Sequence, residues 1–193
     1  MSEPSAAVVV GDDGLPRCPW GDQPPDYRVY HDSEWGRQVR DQRGLFERMS
    51  LEAFQSGLSW LTILRKRDGF RRAFADFDPT AVAAFGAADI ERLLADAAIV
   101  RNRAKIEATI ANARAILDLD RPLPGLLWSF APDGDRPAPQ TLADIASRTP
   151  ESSAMARELK RRGFRFVGPT TAYALMQATG MVDDHLRDCH ARG

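Results

Sequence analysis

The stretch L-K-R-R-G-F-R-F-V-G-P-T-T-A, residues 159–172, has the most informative pattern for the fold. A helix is expected to end near Gly163, and a second helix to begin at Gly168 with Pro169 in its first turn. Four neighbouring side chains are basic: Lys160, Arg161, Arg162 and Arg165. Because the free N–H groups of a helix N-terminus attract anions, the stretch predicts a two-helix hairpin that contacts phosphate groups. The alternative is an ordinary corner between helices with a basic face exposed to water.

Apolar residues recur at helical spacing along the rest of the chain. Helices are expected over residues 43–59, 68–77, 87–97, 101–119, 141–146, 152–162 and 169–179, with a short helix opened by Asp78 and Pro79. Ser152 or Ser153 is expected to cap the helix 152–162. Residues 122–140 are rich in Pro, Gly and Asp and are expected to connect two lobes. Because no alternating strand pattern of useful length occurs, the predicted fold class is all-α.

The composition of the chain sets limits on its class. A chain of 193 residues can bury a substantial core, and we expect a mobile tail over residues 1–14 and one helical domain over residues 15–193. The net charge of −1 gives no sign of nucleic-acid binding, so local basic clusters must supply it. The chain shows neither a signal peptide nor an apolar run long enough for a bilayer. We therefore expect a cytoplasmic protein with no membrane partner.

Four possible metal ligands lie near the two ends of the chain: Cys18, His31, His185 and Cys189. His185 and Cys189 are four residues apart and would share one face of a helix, whereas Cys18 and His31 are thirteen apart, an interval that suits a loop. Two thiolates and two imidazoles are a usual closed set for structural Zn²⁺, which leaves no position for catalysis. The alternative is two unrelated core thiols and two surface histidines. His190 is a competing ligand that is out of phase with Cys189.

Six stretches together resemble a known family. They are R-C-P-W (17–20), Y-H-D-S-E-W-G (30–36), L-E-A-F-Q-S-G-L-S-W (51–60), R-N-R-A-K-I (101–106), R-G-F-R-F-V-G-P-T (162–170) and M-Q-A-T-G-M-V-D-D-H (176–185). From about Arg17 to Cys189 the chain resembles the DNA-3-methyladenine glycosylase I family, a branch of the helix-hairpin-helix glycosylase superfamily. The resemblance implies the helix-hairpin-helix DNA glycosylase fold, with a base pocket between two closely packed lobes. It also implies that a zinc site of the four residues above joins the N- and C-terminal segments.

The same resemblance implies a base pocket and its chemistry. Glu52 would hydrogen-bond the edge of an extruded base and Trp60 would stack on it, with Tyr30, Tyr27 and Trp20 as further pocket residues. An adenine methylated at N3 within a nucleoside is positively charged. Aromatic faces attract a cation by up to roughly 2 kcal/mol when it is desolvated, and a carboxylate accepts from the exocyclic amine. Taken singly, Glu52 is more typical of a solvated helix face, and the aromatic residues are more typical of a core.

The DNA contacts implied by the resemblance lie in two segments. Gly57 and Leu58 would press on the DNA that is opened by base removal. In the hairpin, the residues expected to bind DNA are Lys160, Arg165, Gly168 and Thr170. The implied partner is double-stranded DNA that contains alkylated adenine, bound by a monomer.

Two residues depart from the family pattern. Phe54 stands where better-known members have a polar residue, which puts one pocket or packing contact in doubt. Asp183 stands where those members have asparagine, and other helix-hairpin-helix glycosylases place a catalytic aspartate at the matching position. One hypothesis is that Asp183 stabilises the positive charge of the deoxyribose or positions water. The alternative is a capping aspartate beside the metal ligand His185.

Three functions follow from these residues. The first is a monofunctional glycosylase that releases 3-methyladenine and leaves an abasic site. The second is a module that binds alkylated DNA without cutting it. The third is a zinc-dependent helical adaptor for protein partners, which predicts no salt-sensitive affinity for DNA.

Overall fold

The computed structural model describes residues 7–134 and 136–193, which are mostly helical. The helices are α1 (Pro25–Ser33), α2 (Gln42–Gln55), α3 (Trp60–Ala73), α4 (Pro79–Ala83), α5 (Ala87–Ala95), α6 (Arg103–Leu117), α7 (Leu123–Trp128), α8 (Pro150–Arg161) and α9 (Pro169–Ala178). Two short strands, β1 (Val9–Val10) and β2 (Pro16–Arg17), pair antiparallel. Within the described residues, no helix is both long and apolar enough to cross a membrane.

The N-terminal segment differs from the predicted mobile tail over residues 1–14. Residues 1–6 lie outside the described residues, but from Val9 onward the chain is paired, with Val9 opposite Arg17. The guanidinium of Arg17 is 2% exposed and donates two hydrogen bonds to Asp13, at 2.8 and 2.6 Å. This ion pair, in which the guanidinium is buried and the carboxylate is exposed, fixes the segment to the domain. The strand pair is also the exception to the predicted all-α class, because two-residue strands leave no alternating pattern in the sequence.

The boundary between α2 and α3 corrects the predicted helices 43–59 and 68–77. The first helix ends at Gln55, because Gly57 adopts a left-handed conformation with φ of +81°. Ser59 then caps α3 by accepting a hydrogen bond from the backbone N–H of Thr62 at 3.2 Å. Apolar residues continue at helical spacing on both sides of the break. Spacing alone therefore gave no sign of the turn over residues 56–59.

Several elements of the second half also differ from prediction. The connection 122–140 contains α7, and residues 141–146 form only a single 3₁₀ turn, Leu142–Asp144. The cap of α8 is Thr149, whose hydroxyl accepts from the backbone N–H of Ser152, so neither Ser152 nor Ser153 is the cap. The N-terminal helix α1 was not predicted. The predicted short helix α4 and the last helix α9 are present, and α9 ends before Gly180 at a φ of +68°.

The main core contains buried side chains from Leu45 to Val182, which is consistent with one domain. The side chain of Phe54 is fully buried, with its ring 4.6 Å from that of Phe70 between centroids. Its departure from the family pattern therefore affects core packing, and Phe54 is not among the residues that line the cavity described below. A second, smaller cluster joins the two ends of the chain and contains Cys18, Leu186, Cys189 and Ala191.

Candidate active site

A cavity of about 400 Å³ opens beside α2, and five of its eleven lining residues are aromatic. Its lining residues are Trp20, Tyr27, Tyr30, Trp35, Glu52, Gln55, Trp60, Leu142, Ile145, Ala174 and Gln177. All five residues that the sequence assigned to a base pocket are among them. The volume is within the usual range for small-molecule sites and is sufficient for a purine.

The acidic group of the cavity is Glu52. Its side chain lies on α2 and is 7% exposed, and none of the hydrogen bonds between described residues includes its carboxyl group. Burial raises the pKa of Glu52 to about 8, and the nearby Arg48 opposes this only in part. The carboxyl is therefore mostly protonated at neutral pH. A cation in the cavity would stabilise the ionised form and lower this pKa.

The aromatic wall is built mainly on α1 and the start of α3. Tyr30 and Trp60 lie with ring centroids 5.2 Å apart, and Trp20 packs edge-on against Tyr27 at 5.9 Å. The hydroxyl of Tyr27 accepts a hydrogen bond from the backbone N–H of Leu61 at 3.0 Å, which ties α1 to α3. Burial, and then the charge of Glu52, raise the pKa of Tyr30 above its usual range, so its hydroxyl stays neutral.

Sequence reasoning missed several lining residues, of which Gln177 is the most informative. The side-chain amide of Gln177 donates to the buried carboxylate of Asp184 at 2.8 Å, and Tyr173 donates to the same oxygen. A carboxylate only accepts, so this bond fixes which end of the amide faces Asp184. Gln177 and Trp35 both lie within the family stretches quoted above, but spacing along the chain does not reveal that their side chains line the cavity.

The possible metal ligands meet beside the cavity. The ligand atoms of Cys18, His31 and Cys189 lie within 4.8 Å of one another, and all three residues are buried. The fourth predicted ligand, His185, stands next to them with its ring centroid 5.0 Å from that of His31. Residues 185–189 form no helix, so the predicted helical projection of His185 and Cys189 was wrong. An irregular turn brings them together instead.

The donor set fits a structural zinc ion. Nδ1 of His31 is 2.8 Å from Asp32, and Nδ1 of His185 is 2.7 Å from Asp183. Carboxylates commonly hold the second nitrogen of a zinc-bound histidine in this way. Nε2 of His31 lies 3.5 Å from Sγ of Cys189, and Nε2 of His185 is buried without a partner among the described residues. An unpaired buried nitrogen in a cluster of two thiols and a second imidazole is suited to a metal.

Neighbouring residues support this arrangement and separate it from the competing ligand. Gly36 has φ of +76°, and a Cβ there would lie 2.7 Å from the His185 ring, so only glycine leaves room for the imidazole. His190 is directed to Asp32, with Nε2 3.1 Å from the carboxylate. Trp35 contacts the His185 ring at 4.6 Å between centroids and also lines the cavity. The ligand cluster therefore forms part of the support of the cavity wall.

The predicted DNA-contacting residues lie around the hairpin between α8 and α9. Gly163 has φ of +90° and Gly168 precedes α9, as the sequence predicted. Lys160 and Arg165 are exposed and form no salt bridge within the described ranges, so both are available to phosphates. Arg161 and Arg162, in contrast, are paired with Glu158.

A groove of about 260 Å³ connects the hairpin side to the cavity. It is lined by Glu52, Gln55, Ser56, Gly57, Leu58, Thr170, Thr171 and Ala174. Glu52, Gln55 and Ala174 also line the cavity, so the two spaces adjoin. Leu58 is 42% exposed at the turn before α3, and Thr170 lies across the groove in the first turn of α9. The predicted contacts Gly57, Leu58, Gly168 and Thr170 are thus near one another in space.

Solved structures that share this fold place the protein in the class of DNA glycosylases. A crystal structure of 3-methyladenine DNA glycosylase I has a TM-score of 0.88 and 45% identity, covering 92% of this chain and 100% of the other. A variant of 3-methyladenine DNA glycosylase I in complex with 3-methyladenine has a TM-score of 0.87 and 34% identity, covering 92% and 97%.

The chain belongs to the methyladenine glycosylase family, whose sequence profile matches residues 20–192. DNA-3-methyladenine glycosylase 1 of Escherichia coli is 45% identical over 179 residues, which are 91% of this chain and 96% of that protein. DNA-3-methyladenine glycosylase of Haemophilus influenzae is 42% identical over 179 residues, or 90% and 96%. The family and the enzyme class predicted from the sequence are confirmed.

The structure also places Asp183, the residue proposed as catalytic. Its carboxylate accepts from the backbone N–H of His185 at 3.1 Å and faces the ring of that residue, and Asp183 is not among the residues that line the cavity. We expect Asp183→Asn to change the single-turnover rate of base release by less than roughly threefold. A general base or charge-stabilising group would contribute on the order of 10²-fold or more. A loss of that size, with metal content and melting temperature unchanged, would instead assign Asp183 to the chemistry.

Proposed function

We propose that the protein hydrolyses the N-glycosidic bond of 3-methyladenine in double-stranded DNA and leaves an abasic site. The observation that carries this proposal is the buried Glu52 carboxyl, which faces an aromatic cavity and has no protein partner among the described residues. The alkylated nucleoside is cationic, so the carboxylate and the rings bind it more tightly than intact adenine. A damaged base is also less costly to extrude from the duplex.

The chemistry needs little from the enzyme beyond binding and orientation. When the bond between C1′ and N9 breaks, its electron pair passes to the base, which leaves as neutral 3-methyladenine. The positive charge moves to the deoxyribose, where water adds to C1′ and releases a proton. Negative charge in the cavity favours the cationic sugar as it forms, and protonation of the leaving group is unnecessary.

The DNA contacts are assigned to a helix-hairpin-helix motif formed by α8 and α9. Lys160, Arg165 and the first turn of α9 at Gly168 and Thr170 would bind the phosphates. Gly57 and Leu58 would fill the space in the duplex that the extruded base leaves. Both segments and the cavity are formed by one chain, which supports action as a monomer. Zinc at Cys18, His31, His185 and Cys189 would be structural.

Identification of the released bases tests this function. The purified protein is incubated with DNA carrying a radiolabelled methyl group, and the soluble bases are separated by chromatography. We expect free 3-methyladenine to appear and the strand to remain uncut until alkali cleaves the abasic site. Salt-sensitive binding without any released base would indicate the non-catalytic DNA-binding module. Absence of salt-sensitive DNA affinity would indicate the protein adaptor.

A further inference from the structure

Two buried polar side chains project from one face of α6. Lys105 and Asn112 are seven residues apart, which is close to two helical turns, and they are 7% and 1% exposed. Neither lines the cavity or the groove. Burial of polar groups is unfavourable unless they are hydrogen-bonded, and each of these two is bonded to the backbone of a different loop.

Lys105 holds the turn between α2 and α3. Its ammonium donates to the carbonyl of Phe54 at 2.8 Å and to that of Ser56 at 2.6 Å. These carbonyls lie at the C-terminal end of α2, where a helix presents unpaired acceptors and partial negative charge. The turn that follows carries Gly57 and the exposed Leu58. Lys105 therefore fixes where this turn leaves the helix.

Asn112 holds the hairpin between α8 and α9. Its side-chain oxygen accepts from the backbone N–H of Arg165 at 2.7 Å, and its amide donates to the Arg165 carbonyl at 3.1 Å. The next residue, Phe166, is 41% exposed and has φ of +56°, a conformation that is unfavourable for a non-glycine residue. A doubly bonded backbone at Arg165 helps to hold the hairpin in this shape.

We propose that Lys105 and Asn112 are positioning residues that set the distance between the two DNA-contacting segments. The turn 56–59 and the hairpin 163–168 have to contact the same DNA together, and a rigid helix held to both keeps them in register before binding. This inference rests on the proposed DNA contacts of those segments. Pre-organised loops lose less conformational freedom on binding, so the effect falls on DNA affinity and leaves the base cavity unchanged.

Paired binding measurements test the proposal. Asn112→Leu and Lys105→Met are compared with the wild-type chain for two ligands: free 3-methyladenine, followed by tryptophan fluorescence, and a duplex containing a stable abasic-site analogue, followed by anisotropy. We expect each variant to weaken duplex binding by roughly tenfold, the scale of one to two lost hydrogen bonds. Binding of free 3-methyladenine should stay within about twofold of wild type. In the double variant the losses of duplex binding free energy should be less than additive, because either substitution alone already lets the distance between the turn and the hairpin vary.

Matched variants separate positioning from general loss of structure. Thr109 lies on the same helix, is 1% exposed and bonds only to the α6 backbone at Lys105, so Thr109→Val should leave both affinities unchanged. Where Asn112→Leu fails to fold, Asn112→Ser keeps a polar side chain that is too short to bond both backbone groups of Arg165, and it should show the same selective loss. Unchanged duplex affinity, or parallel loss of both ligands, overturns the inference. Failure of the wild-type protein to release any base refutes the proposed function separately, because the comparison here measures binding alone.

Discussion

Replacing Glu52 with glutamine is expected to slow the release of 3-methyladenine by a factor on the order of 10²–10³. The substitution keeps the size of the side chain and one acceptor oxygen, but it removes the negative charge. A charge-assisted hydrogen bond is roughly twice as strong as a neutral one, and the difference is greatest in a site shielded from water. Single-turnover release from methylated DNA measures the effect.

A second acidic residue of α2 provides the matched control for this experiment. Glu47 pairs with Arg71 at 2.8 Å and does not line the cavity, so Glu47→Gln should retain nearly full release. If Glu52→Gln released base as fast as Glu47→Gln, the charge of the cavity would play no part in catalysis. Recognition would then depend on the aromatic wall alone.

The same substitution is expected to stabilise the fold at alkaline pH. Burial raises the pKa of Glu52 from 4.5 to about 8, and the positive charge of Arg48 opposes this only in part. The buried carboxyl is favourable only while it is protonated. Its contribution is therefore complete below pH 4.5 and is lost as the pH rises through 8. Thermal melting should show equal stability of the two proteins near pH 4 and a more stable Gln variant above pH 8.

The size of this stability difference is bounded by the same shift in pKa. One pKa unit corresponds to about 1.4 kcal/mol, so the gain above pH 8 cannot exceed roughly 5 kcal/mol, and relaxation of the site will reduce it. A wild-type protein that is as stable as the variant at pH 9 would show that the carboxyl is solvated. In wild type, base release at low substrate concentration should rise with pH toward about 8, as Glu52 ionises.

The elements that the sequence predicted well are those set by local chemistry. The hairpin is an example, because glycine permits the left-handed conformation found at Gly163 and Pro169 suits the first turn of a helix, whatever the surrounding fold. The turn at Gly57 was missed for the opposite reason: apolar spacing continues through it, and its geometry depends on Lys105, 48 residues away in sequence. Bonds of this kind are formed by the tertiary fold and leave no periodic pattern.

The candidate site shows the same division. Residue types and family stretches pointed to Glu52, Trp60 and the tyrosines as cavity residues, because an acidic or aromatic side chain indicates by itself what it can bind. Gln177 was missed because its orientation depends on a hydrogen bond to Asp184. Arg17 was missed because it acts through another residue: its guanidinium donates to Asp32, whose carboxylate contacts His31. The four-residue interval between His185 and Cys189 suggested a helix, but a turn can also bring such residues together.

Loss of the proposed zinc ion is expected to have the largest effect on stability. The ligand cluster joins residues near position 18 to residues near position 189, and within the described part of the chain the small buried cluster there contains only Leu186 and Ala191 besides the two cysteines. A metal that cross-links the two ends therefore contributes stability that apolar burial in this small cluster does not provide. In zinc-finger peptides such sites contribute roughly 10–16 kcal/mol, but here the main core is independent, so the expected loss is several kcal/mol. Chelation should lower the melting temperature by on the order of 10 °C.

Two histidine variants make this prediction specific. His185→Ala should abolish stoichiometric zinc, measured by mass spectrometry of the purified protein, and should lower the melting temperature as chelation does. His190→Ala should keep both the metal and the stability, because His190 is directed to Asp32. Loss of zinc should also loosen the cavity wall, since Trp35 packs on the His185 ring, so affinity for free 3-methyladenine should fall in His185→Ala alone. Full zinc content in His185→Ala, or equal loss in both variants, would show that the ligands are not the four residues proposed.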